Sequence, residues 1–186
     1  MPRKPDPTRK PELLGQILEH LRGRSLATVS FRTLAEALGV STYVFVYHFG
    51  NRAELVAEIV RAVVSRNDAL LAVDVAELDR DAFVAHLNTV WHEATSDRGR
   101  DMFRLELEAA LLETVAKDEA GTARGSIAAW HEHVTSWLVA QGVAAADATV
   151  QARAVADAIF GLQYDAVVTG DVRRASAAFA TVVDAL

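Results

Sequence analysis

The stretch Ser30-Phe31-Arg32-Thr33-Leu34-Ala35-Glu36-Ala37-Leu38-Gly39-Val40-Ser41-Thr42-Tyr43-Val44-Phe45-Val46-Tyr47-His48-Phe49 decides how this chain is read. Its apolar residues return at helical spacing, and Gly39 interrupts them in the middle. Ser30 suits the N-cap of a first helix from Phe31 to Leu38, because a serine hydroxyl accepts from an unpaired amide of the first turn. Gly39 suits its end, since it takes the left-handed turn conformation that a β-carbon opposes. A second short helix follows, Ser41 to His48. Two such helices, crossing steeply through a turn of three or four residues, lay one across a DNA backbone and the other in the major groove. Leu34, Leu38, Val40 and Phe45 are the expected apolar wedge between them, with Ala35 small where they approach closely.

That packing leaves Ser41, Thr42, Tyr43, Tyr47 and His48 for the groove side. Short hydroxyls at a helix start suit phosphate oxygens, because the unpaired amides and the dipole there already favour anions. An exposed tyrosine ring lies against sugars or a thymine methyl while its hydroxyl reaches phosphate or a base edge. For Tyr43 and Tyr47 the other reading stays open, a half-buried ring with an exposed tip.

Charge placement agrees with one end meeting a polyanion. The chain of 186 residues is net −6, yet residues 1 to 52 carry eight Lys/Arg against four acids, a net +4 that leaves −10 on the rest. A basic head on an acidic body gives a local electrostatic footprint, although a merely solvated tail would look the same. The length holds a sizeable core, and 51% apolar with 24% charged residues is ordinary for a globular chain. No apolar stretch reaches the roughly 18 residues of a membrane span, and Met1 to Asp6 lacks the apolar region of a secretory signal. A cytoplasmic location is therefore expected. The absence of cysteine excludes disulfides, thiolate catalysis and thiolate metal sites.

Helical periodicity continues through the remainder, so the expectation is an all-α fold of about nine helices. The first has Pro11 at its start, an apolar stripe of Leu14, Ile17, Leu18 and Leu21, and Gly23 as its stop. A fourth runs from Asn51 to about Leu71, and the boundary between an N-terminal domain (1–54) and a C-terminal one (55–186) falls within it. Longer helices follow. Phe83 to Ala94 mark one, closed by Ser96 to Gly99, and Met102, Phe103, Leu107, Leu111, Leu112 and Val115 mark the next. Ile127 to Leu138 mark another, and the last two run from about Ala146 to Thr169 and from Asp171 to Leu186.

Leu34-Ala35, Gly39-Val40-Ser41, His48-Phe49 and Asn51-Arg52-Ala53-Glu54-Leu55 together resemble the signature of TetR-family transcriptional regulators, over roughly residues 28 to 60. The resemblance implies a three-helix helix-turn-helix domain at the N-terminus and a helical ligand-binding and dimerisation domain behind it. Family members commonly carry Tyr three residues before the exit Phe, where this chain has Val46 with Tyr47 beside it. They tend to carry Lys near the start of the fourth helix, where Arg52 keeps the charge and adds donors for phosphate. Arg32, and the tail residues Arg9 and Lys10, are further candidates for backbone contact.

The resemblance also implies dimerisation through the last two helices. Ala154, Ala158 and Gly161 form a small-residue groove there beside Leu162, and Phe179, Val182 and Leu186 would complete a four-helix packing with the partner. It implies a small apolar or amphipathic effector among the body helices, with Trp91, Met102, Phe103, Trp130, Trp137, Phe160 and Tyr164 as its walls. Each of these residues fits its own chain's core equally well. His131 and His133 are two apart and point to different sides of a helix, so no metal is expected, and no cofactor is implied. The reading is a homodimeric regulator, most simply a repressor, that binds a palindromic double-stranded operator and is released by an effector through tilting of the fourth helix. Activation uses the same head. A ligand-binding or scaffolding module of the same fold without operator recognition is the alternative. An enzyme is disfavoured, because no P-loop, nucleophile elbow or HExxH pair occurs.

Overall fold

The computed structural model describes residues 8–116 and 121–186, and among them every regular element is helical. The helices are α1 (Arg9–His20), α2 (Phe31–Leu38), α3 (Thr42–Phe49), α4 (Arg52–Val64), the single turn α5 (Asp68–Leu71), α6 (Arg80–Thr95), α7 (Asp97–Ala116), α8 (Thr122–Ala140), α9 (Ala145–Thr169) and α10 (Val172–Asp184). None is long and apolar enough to cross a membrane.

Local chemistry sets most boundaries where the sequence places them. Ser30 caps α2 in a capping box with Thr33, and Gly39 ends that helix at φ 65°. Asn51 caps α4 by accepting from the Glu54 amide at 3.0 Å. Gly170 closes α9 in the left-handed region, and Asp171 caps α10 through the Arg174 amide.

Three boundaries differ from expectation. The first helix begins two residues before Pro11, which occupies the opening turn, where no intrahelical acceptor is lost by a missing amide. The fourth stops at Val64 and passes through a 3₁₀ turn (Ser65–Asn67) before α5, so the stretch to Leu71 is jointed. Ser96 to Gly99 do not form a loop after α6. Ser96 alone separates the two helices, and its hydroxyl accepts from the Gly99 amide inside the first turn of α7. A β-carbon at Gly99 would run into the Glu93 and Ala94 carbonyls, so glycine permits the sharp joint.

Two apolar clusters organise the molecule. One joins Leu13, Ile17 and Leu21 of α1 and its end to Leu34, Phe45, Phe49, Leu55 and Ile59, and it also includes Met102, Leu105 and Ala109 of α7. The N-terminal three-helix unit thus shares its core with a body helix. The other holds Phe83, Leu87, Trp91, Val134, Trp137, Ala152, Ile159 and Phe179. Polar bonds reinforce the first junction. Asp101 accepts from the Gly23 amide and from Arg22, Glu108 accepts from the Ser25 hydroxyl and the Leu26 amide, and Arg104 donates to the Leu21 carbonyl. Further along α7, Glu113 accepts from the Ala123 and Arg124 amides at the start of α8. Beyond this contact region, Leu111, Leu112 and Val115 are exposed, so that half of the expected stripe leaves the core.

His86 of α6 and His133 of α8 meet with their Nε2 atoms 3.0 Å apart, beside Phe83 and Trp130. One ring donates and the other accepts, an arrangement lost if both carry two protons. Burial, then the neighbouring His86, lowers the His133 pKa from 6.5 to about 4, and burial lowers that of His86. Above pH 6.5 neither folded nor unfolded chain holds the extra proton on His133. Below it the unfolded chain takes a proton that the fold refuses. The stabilisation is therefore complete above about pH 6.5 and is lost as pH falls toward 4, by on the order of 3 kcal/mol for His133. Urea melts of wild type and His133→Gln across this range should show a shallower loss in the variant; parallel curves would exclude the His pair as the cause.

Candidate nucleic-acid interface and ligand cavity

Helix α3 presents its two faces very differently. Phe45 and Phe49 are buried and stack with each other and, through Phe45, with Phe31. On the outer face Tyr43 is 70%, Val46 47% and Tyr47 57% exposed, with Thr42 exposed beside them. Ser41 is also exposed, and its hydroxyl accepts from the Tyr43 amide at 3.2 Å. His48 is half-buried and meets the Tyr47 ring edge-on. The rings of Tyr43 and Tyr47 are thus outside the core, four residues apart on one face of a helix held from behind by three phenylalanines. Val46 stands in the same row, so its departure from Tyr removes a hydroxyl from the outer face.

The basic candidates divide. Arg32 is extended into solvent and, among the described residues, pairs only with Glu36 one turn on, at 3.2 Å. Arg52 turns inward, where its Nε donates to the Val29 carbonyl at 2.7 Å and its Nη2 to the Ala27 carbonyl at 3.2 Å. It pins the turn before α2 to the start of α4, leaving Nη1 for an outside acceptor. Lys10 is bound to Glu58 at 2.9 Å and lies over the Phe49 ring, and Arg9 faces Glu12. Both are engaged within the protein. The tail residues before Thr8 lie outside the described residues.

In the body, a cavity of about 360 Å³ lies among α4, α6, α7, α8 and α9. It brings together Met102, Phe103, Trp130 and Phe160 of the seven candidate wall residues. Phe103 and Phe160 stack with their rings nearly parallel, and a second hollow of about 290 Å³ shares both. The other three lie elsewhere. Trp91 stacks on Phe179 and donates to Ser176, while Trp137 stacks on Phe83 and donates to the Leu78 carbonyl. Both indoles are satisfied core residues. Tyr164 points outward, 55% exposed. The sequence reading missed the polar part of the wall, namely Asn67, Glu106 and Gln163 (all buried) with Arg66. Its only signal was a polar residue at a helix position flanked by core residues, as with Gln163 between Ile159 and Ala166.

Among the dimer candidates, Ala154 and Gly161 are exposed on α9, with Ala158 and Leu162 half-buried; Val182 and Leu186 are half-buried in the C-terminal segment. Val150, Tyr164 and Val168 extend the exposed apolar row of α9. Phe179 is not on that face, because it fills the chain's own core against Trp91. No group of three or more metal-ligating side chains occurs among the described residues.

No family model and no curated protein matches the sequence. The likeness is in the fold, and it spans nearly the whole chain. A TetR transcriptional regulator from Legionella pneumophila superposes with TM-score 0.73 at 14% identity, covering 99% of this chain and 98% of that one. A protein described as a TetR-family regulator from Mesorhizobium loti gives 0.65 at 16% identity, covering 95% and 96%. A TetR variant from Acinetobacter baumannii, in complex with minocycline, gives 0.58 at 18% identity over 98% and 94%. The chain thus has the all-α fold of TetR-type transcriptional regulators.

The split between supporting and outward residues is measurable. Phe45→Ala should cost about 3–5 kcal/mol of unfolding free energy, whereas Tyr43→Ala should stay within about 0.5 kcal/mol of wild type. Urea denaturation of both variants checks this, and a large loss at Tyr43 would place its ring inside the core.

Proposed function

We propose that this chain is a ligand-responsive transcriptional regulator, acting as a repressor, that binds a palindromic DNA operator as a homodimer. The observation that carries the reading is the outward row Thr42, Tyr43 and Tyr47 on a short helix wedged from behind by Phe31, Phe45 and Phe49. A fixed, exposed, hydroxyl-bearing helix face is what major-groove docking requires, and the local positive charge of residues 1 to 52 supplies the phosphate attraction. Ser41, Thr42, Tyr43, Tyr47 and His48 are the proposed contacts, with Arg32 and the remaining donor of Arg52 on the backbone. Residues 1–54 act as the DNA-binding unit and residues 55–186 as the ligand-binding and dimerisation unit.

Dimerisation through α9 and α10 sets two copies of α3 about 34 Å apart, one helical turn of duplex. Ala154, Ala158 and Gly161 let two α9 helices approach closely, with Leu162, Val182 and Leu186 at the flanks. The cavity admits an apolar or amphipathic effector, and occupancy shifts α4 and with it the spacing of the two α3 helices. Nothing in this scheme calls for catalysis.

Operators selected from a random duplex pool should bind with an affinity that falls steeply with salt, as phosphate contacts require. Tyr43→Ala should weaken binding by about tenfold while the dimer persists in sedimentation, and Thr42→Ala should weaken it less. Dimerisation and ligand binding without any selected sequence would instead favour a sensing module that lacks operator recognition.

A further inference from the structure

The polar groups of the cavity wall define the ligand it accepts. Gln163 is only 6% exposed and lines the cavity, so its side-chain amide borders that space. Arg66 donates through Nη2 to Glu106 at 3.0 Å, while its buried Nε has no partner. A buried guanidinium nitrogen without a partner is costly, so it is a standing demand for an acceptor, and the NH2 of the Gln163 amide bordering the same space can donate to that acceptor as well. The apolar remainder of the wall is wide and partly flat, with Phe103 and Phe160 within 2° of parallel and Trp130 across the same space.

Charge narrows the chemistry further. The buried pair is already matched, Arg66 with Glu106, whose carboxylate is 7% exposed, and the exposed lining residues Glu93 and Arg98 contribute one charge of each sign. A ligand carboxylate would bring a second negative charge to the wall that holds Glu106. A ligand ammonium would do the same to Arg66. Either ion placed against that buried pair would lose its hydration without a vacant counter-charge there.

We infer that the cavity selects an uncharged, ring-bearing molecule with a carbonyl-type acceptor, received by Gln163 and the Arg66 Nε while Met102, Phe103, Trp130 and Phe160 hold its apolar body. This rests on the regulator reading only in taking the cavity as the effector site. Arg66 lies two residues beyond the end of α4, so an occupant engaging it touches the segment leading back to the helix-turn-helix.

The test uses the full-length protein and four matched probes: acetonaphthone, ethylnaphthalene, naphthoate and naphthylmethylamine, titrated calorimetrically at pH 7.5. The ketone should bind about fivefold tighter than the hydrocarbon, the gain of one well-formed hydrogen bond, and at least about tenfold tighter than either ion. Gln163→Leu should remove much of the ketone's advantage while the hydrocarbon still binds, the Arg66 Nε keeping the remainder, and an undiminished advantage in the variant would also overturn the inference. Gln163→Met, closer in shape, serves if the leucine variant does not fold. Equal binding of ketone and hydrocarbon to wild type, tighter binding of either ion, or no binding by any probe would overturn the inference. Because these titrations contain no DNA, their failure leaves the operator measurements standing, and failure of operator binding leaves the probe order standing.

Discussion

The seam along α7 is the contact on which the rest depends. Helix α1 ends with unpaired carbonyls, and the turn after it begins with unpaired amides, as any helix end must. Here a body helix supplies partners: Asp101 for the Gly23 amide and Glu108 for the Leu26 amide, with Arg104 as a second donor to the Leu21 carbonyl, which also accepts from the Arg24 amide. The same helix inserts Leu105 and Ala109 into the N-terminal core. On its adjoining face Met102, Phe103 and Glu106 wall the cavity. One rod therefore holds the N-terminal unit on one side and the cavity on the other, separated by less than a helical turn.

That arrangement modifies the expected division of labour. From sequence, α4 alone seemed to bridge the two units. The structure gives it Ala62 at the cavity, and then breaks its axis at Ser65. A motion of α4 relative to the body must also accommodate α7, whose hydrogen bonds to the α1 end are partly shielded from water and hence costly to leave unmade. The joint at Gly99, where backbone meets backbone without an intervening side chain, fixes how α7 leaves α6.

Legibility in the sequence followed the range of the interaction. Caps and turns, set by neighbours within four residues, were readable: Ser30, Gly39, Asn51, Gly170 and Asp171 behave as their chemistry dictates. So was the helical spacing that gives the fold class. What a helix face meets was not readable, because it depends on residues far along the chain. Trp91 and Trp130 have the same size and similar flanks, yet one stacks on Phe179 and the other lines the cavity. Phe179 and Ala154 both belong to apolar helices near the C-terminus, and only the latter faces outward. Arg52 reads as a free cation, yet the turn carbonyls of Ala27 and Val29 accept from it while it stays exposed.

The carboxylate of Glu113 has a consequence for how the chain tolerates change. It grips the first amides of α8 directly from α7, so a side chain ten residues back along the chain serves as the cap that Gly121 has no side chain to supply. A carboxylate at that place also meets the positive end of the α8 dipole. The orientation of α8, and with it the placing of Trp130 and His133 on that helix, is thus tied to the charge of one residue on its neighbour.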